Sequence, residues 1–72
     1  MPQYETEPAG ADPAMVRART PSDAVRQQAG LADGTSVEIG EVEAGSGWAE
    51  VLVDGAVWGR VRPRDRMRFR RD

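Results

Sequence analysis

The stretch Trp48-Ala49-Glu50-Val51-Leu52-Val53-Asp54-Gly55-Ala56-Val57-Trp58-Gly59-Arg60-Val61 decides how this chain reads. Two short runs rich in valine, leucine and tryptophan flank Asp54-Gly55. That dipeptide suits a two-residue hairpin turn because both positions tolerate positive φ. Pairing across the turn predicts Val53 opposite Ala56, Leu52 opposite Val57, Val51 opposite Trp58 and Trp48 opposite Val61. Apolar residues then fall on both faces, as in a strongly bent barrel sheet with little open surface.

Upstream, Ser36–Glu43 alternates through Val37 and Ile39 and shifts register at Gly40, where a bulge is expected. Ala44-Gly45-Ser46-Gly47 reads as a flexible loop. A helix is expected over 21–29, inside a helical segment 20–30: Thr20 caps it, Pro21 fits the first position and Gly30 supplies the left-handed stop. Val25 and Ala29 lie one turn apart on a single face of it. Met15–Arg19 alternates apolar and basic residues and suggests a short strand. Residues 1–14 hold Pro2, Pro8, Pro13 and Gly10 among Glu5, Glu7 and Asp12. They read as an extended, acidic, polyproline-prone arm, disordered unless docked, with Tyr4 as its anchor. Downstream, Pro63 ends the second hairpin strand, and Met67-Arg68-Phe69-Arg70 reads as a last short strand with Met67 and Phe69 inward.

Residues 31–70 resemble the small Src-homology-three-like barrel, in particular its bacterial version. The likeness is carried by Gly34-Thr35 before a Val/Ile strand, Gly47-Trp48 opening the next, the Asp54-Gly55 hairpin and Gly59-Arg60-Val61 beyond it. Pro63 to Met67 stand where that fold makes a single 3₁₀ turn before its final strand. Where the bacterial pattern has an aromatic residue after the glycine, this chain has Arg60, and Trp58 precedes Gly59. The resemblance implies an all-β fold, a small five-stranded barrel; with the short helix that precedes it, the barrel domain is expected over residues 15–72, behind the N-terminal arm 1–14. It implies no activity, because small barrels host many functions. Relatives of this barrel usually sit in exported, multi-domain proteins, where they bind cell-wall or peptide ligands.

Charge is the second informative feature. All ten basic residues are arginines, and residues 60–72 hold seven of them with two aspartates, net +5; residues 1–59 carry three arginines and ten carboxylates, net −7. The chain's −2 hides this split, and segregated charge of this kind points to a partner. Arg60, Arg62, Arg64, Arg66, Arg68 and Arg70 alternate along the segment, so a continuous strand would set guanidiniums about 7 Å apart, near the phosphate spacing of a nucleic-acid strand. Pro63 interrupts that ladder. Pairing with Glu38, Glu43 and Glu50 across the sheet is the plainer alternative, and arginine as a protein-interface residue is the third. The resemblance implies that Trp48, at the rim of the glycine-rich loop, is the more exposed tryptophan, placed to take Arg60 or Arg62 on its ring; Trp58, opposite Val51 within the hairpin, is assigned to the core.

Seventy-two residues make one small domain. With no histidine, cysteine or lysine, acid–base and covalent catalysis lose their usual groups, so no enzyme activity is expected. Gly45-Ser46-Gly47 lacks the lysine of a phosphate loop, and Glu38, Glu41, Glu43 and Glu50 read as a solvated acidic face. No cofactor, metal or membrane span is expected, and the N-terminus reads as that of a cytoplasmically made product without an export signal. These features together predict a non-enzymatic, protein-interacting subunit of a larger assembly, a homo-oligomer or a capsid surface. Its most concrete form is a small virion protein, for capsid decoration or head assembly, of a phage infecting a GC-rich actinobacterium. Docking would run through Tyr4 on the arm, Trp48 and the arginine-rich end. The alternatives are a regulator contacting nucleic acid or the transcription machinery through its C-terminal arginines, and a peptide- or wall-binding module using Trp48.

Overall fold

The computed structural model describes residues 2–64. It is mostly strand: β1 (Gln3–Pro8), β2 (Ala14–Arg17), β3 (Val37–Val42), β4 (Ala49–Val53) and β5 (Ala56–Pro63), with one helix, α1 (Pro21–Ala29). The strands form one antiparallel sheet in the order β2-β1-β5-β4-β3. Among the described residues no pairing joins β2 to β3, so the sheet is open at both edges. The strand expected at Met67–Arg70 lies outside the described residues.

The N-terminal segment takes a different place from the docked or disordered arm its prolines suggest. β1 is an interior strand, pairing with β2 through Tyr4↔Val16 and with β5 through Thr6↔Val61. Its prolines are compatible with this because they stand at its ends: Pro2 immediately precedes it and Pro8 is its last residue. Gln3-Tyr4-Glu5-Thr6-Glu7 between them keeps every donor the two ladders need.

Helix α1 begins and ends where its cap chemistry dictates. Thr20, in extended conformation, accepts a hydrogen bond from Asp23 N–H at 3.1 Å, Pro21 opens the helix, and Gly30 closes it at φ 65° with its N–H on the Arg26 carbonyl. Its buried residues are the neighbours Ala24 and Val25, while Ala29 is exposed, so the packed stripe lies nearer the N-terminal half than a Val25–Ala29 pairing suggests. The helix lies across one face of the sheet, touching β1, β2, β3 and β5. Between them sits the core: Tyr4, Ala18, Ala24, Val25, Ala49, Val51 and Val61, joined by the buried Thr6. Val16, Leu31, Val37, Ile39, Val53 and Trp58 pack around it. Each fully buried valine stabilises the fold by about 1.5–3 kcal/mol, a large share for a domain this size.

The central hairpin contains one irregularity with wide consequences. Val53↔Ala56 and Leu52↔Val57 pair as the turn predicts, but the next partner of Val51 is Gly59, which leaves Trp58 as an extra residue on β5. A straight ladder would have set Val51 against Trp58 and Trp48 against Val61. The bulge instead sets Ala49 against Val61 and Glu50 against Arg60. Trp58 packs against the core, and the arginines beyond it are aimed at the face opposite the helix.

Candidate interaction face

Strand alternation sorts β1 and β5 by chemistry. Tyr4, Thr6 and Val61 turn toward α1, so Glu5, Glu7, Arg60 and Arg62 turn to the other side. The register places Glu5 directly opposite Arg62 and Glu7 opposite Arg60. Arg62 Nε donates to Glu5 Oε1 at 2.8 Å, and Arg64 Nε lies 3.7 Å from the same oxygen. Arg60 Nε donates to Glu7 Oε1. The Arg62–Glu5 side chains are 25% and 17% exposed against 47% and 27% for Arg60–Glu7, so the first pair is better shielded and contributes more.

Trp48 completes the face. Its ring lies 4.1 Å from the Arg60 guanidinium carbon and 4.3 Å from that of Arg62, so one indole serves two cations. The loop that carries it is closed by its own hydrogen bonds. Glu43 N–H donates to the Trp48 carbonyl at 2.7 Å and Gly47 N–H to the Glu43 carbonyl at 3.0 Å. The Ser46 hydroxyl donates to Glu43 Oε1 and accepts from Trp48 N–H at 3.2 Å. Arg62 Nη1 reaches back to the Ser46 carbonyl at 3.4 Å, tying the loop to β5. Gly45 and Gly47, at φ 96° and 80°, supply the conformation that the turn requires.

Gly59 holds the two strands in contact. A Cβ there would lie 2.1 Å from the Glu7 carbonyl oxygen, 2.7 Å from Pro8 Cα and 3.0 Å from Ala9 N, all backbone atoms. Only glycine lets β1 approach β5 closely enough for the Glu7–Arg60 register to form. Beside Trp48 and Arg60 a groove of about 730 Å³ opens, walled by the Pro8–Asp12 turn and by Glu41, Glu43 and Glu50.

The sequence-predicted site residues divide clearly. Trp48, Arg60 and Arg62 are brought together. Arg64 lies at the margin, its N–H on the Gln3 carbonyl at 2.8 Å. Arg66, Arg68 and Arg70 lie outside the described residues. Tyr4 is buried at 8% exposure and anchors β1 within its own chain, so its ring is not displayed to a partner. The carboxylates that pair with Arg60, Arg62 and Arg64 are Glu5 and Glu7 rather than Glu38, Glu43 or Glu50; Glu50 faces Arg60 in register, but the ion pair goes to Glu7. The acidic alternation of Gln3–Glu7 was the available signal, and the flanking prolines masked it.

Among the described residues no group of three or more His, Cys, Asp or Glu side chains is placed to hold a metal ion. No helix among them is long and apolar enough to cross a membrane. No family model matches this chain, and no curated protein and no solved structure matches it.

Proposed function

We propose that this chain is a non-enzymatic protein-interaction subunit of a larger assembly, presenting the open face of its sheet to a protein neighbour. The observation that supports this most is the Trp48–Arg60–Arg62 cluster. Tryptophan and arginine are the side chains enriched where protein interfaces bind most tightly. Here Glu5, Glu7 and the closed Glu43–Trp48 loop hold them in place, which lowers the ordering cost of binding. Since Gln3–Pro8 is an interior strand, docking in this proposal runs through that face and the arginine-rich end, not through an arm. The most concrete form is a small phage virion protein, for capsid decoration or head assembly; it rests on the chain's size and charge split. The meander β3-β4-β5 supports the likeness of residues 31–70 to a Src-homology-three-like barrel, which is part of the same proposal.

Contact with nucleic acid is the competing reading. Arg60, Arg62 and Arg64 are already opposed by carboxylates, so a phosphate would have to displace Glu5 and Glu7. The test follows the full chain through a density gradient of lysate from cells that make it. It should travel with a large particle, and Trp48→Ala/Arg60→Ala should return it to the top while keeping its circular dichroism spectrum. A wild-type chain that stays at the top overturns the proposal. Binding to random duplex DNA or RNA with a steep salt slope would favour the competing reading.

A further inference from the structure

The two open edges of the sheet carry opposite charge. β2 bears Arg17, with Arg19 two residues beyond; β3 bears Glu38 and Glu41, with Glu43 following. All of these side chains are exposed. The backbone at both edges is unpaired on its outer side among the described residues. Ala18 N–H bonds the Pro2 carbonyl, so ladder alternation turns the amides and carbonyls of Met15 and Arg17 away from β1. Asp54 N–H likewise bonds the Ser36 carbonyl, which turns those of Val37 and Ile39 away from β4. Met15, at 51% exposed, stands on the outer strand as an apolar side chain with little cover.

Sheet edges normally carry charge that repels other strands. Here the signs are segregated, so an edge repels its own kind and attracts the opposite edge. Because every pairing in the sheet is antiparallel, β2 and β3 run in the same direction. A second copy can therefore continue the sheet in parallel, with its helix on the same side as the first. We propose that copies of this chain associate edge to edge, β2 of one against β3 of the next, in a head-to-tail interface that gives a ring where the rotation closes. This deepens the assembly proposal by naming the neighbour as another copy, and it rests on that reading.

The experiment is sedimentation of the purified full chain alone, at concentrations up to high micromolar. Wild type should show concentration-dependent oligomers. Arg17→Glu/Arg19→Glu has two acidic edges and Glu38→Arg/Glu41→Arg two basic ones; each alone should self-associate about tenfold or more weakly than wild type. An equimolar mixture should recover oligomers, since unlike edges again meet, and that recovery shows both variants to be folded. A wild-type chain that is monomeric throughout overturns the edge pairing. So does oligomerisation unaffected by both variants, or lost in the β2 variant alone, which would mark a β2–β2 dimer. A purified monomer that still travels with a large particle in lysate refutes this inference and leaves the assembly proposal standing.

Discussion

The two faces of the sheet are built from the same strands and do different work. On the helix side Tyr4, Thr6, Ala49, Val51 and Val61 meet Ala24 and Val25, and almost nothing there is exposed. On the other side Glu5, Glu7, Arg60, Arg62 and Trp48 form a polar layer with, among the described residues, no second layer over it. Both come from single-residue alternation in β1 and β5, so one step of register exchanges them. This small domain does not divide its chain into a structural part and a recognition part. It divides each strand.

The harshest way to break the division is at Gly59. Gly59→Ala puts a methyl into β1 backbone, which no rotamer change relieves, and should cost about 3 kcal/mol in chemical denaturation. A loss below about 0.5 kcal/mol would mean that β1 does not lie against β5. Next is Val61→Ala, which removes buried apolar volume on the helix side only. Its expected cost is about 2 kcal/mol, and Trp48 fluorescence, read in a Trp58→Phe background because Trp58 packs on the core, should stay unchanged if the two faces are independent. Glu5→Gln acts on the other face, leaving Arg62 without its charged partner in a half-buried setting. About 1–2 kcal/mol is expected, with a measurable change in the environment of Trp48. Were the Trp48 emission untouched, the Glu5–Arg62–Trp48 arrangement would be refuted. The smallest effect belongs to Glu7→Gln, about 0.5 kcal/mol, and it should vanish in high salt because the Arg60–Glu7 pair is the more exposed. Equal salt sensitivity for Glu5→Gln would erase the distinction between the two pairs.

Much of this was legible in the residues, for identifiable reasons. The Asp54-Gly55 turn, the Thr20 cap and the Gly30 stop are local signals that need no partner to act, and those elements stand where the local chemistry puts them. The association of Trp48 with Arg60 and Arg62 was legible too, since a short loop and a neighbouring strand bring them together. The role of Gln3–Pro8 was not. Its prolines argue against a strand, and its pairing partners are 8 to 59 residues away along the chain. Nor was the bulge at Trp58, which shifts the ladder of β4 by one residue and redirects every side chain beyond it.

Composition and local pattern by themselves determined the strand-rich class, the helix limits, the central hairpin and the split between acidic and basic ends. Those depend on backbone preferences and side-chain types within a few residues of one another. Tertiary structure alone decided which carboxylates meet Arg60, Arg62 and Arg64, that Tyr4 faces inward, and that the sheet is open at both edges among the described residues. Those outcomes turn on the register between distant strands, and a register is set by the close approach allowed at Gly59 and by the fit of the whole core beneath α1.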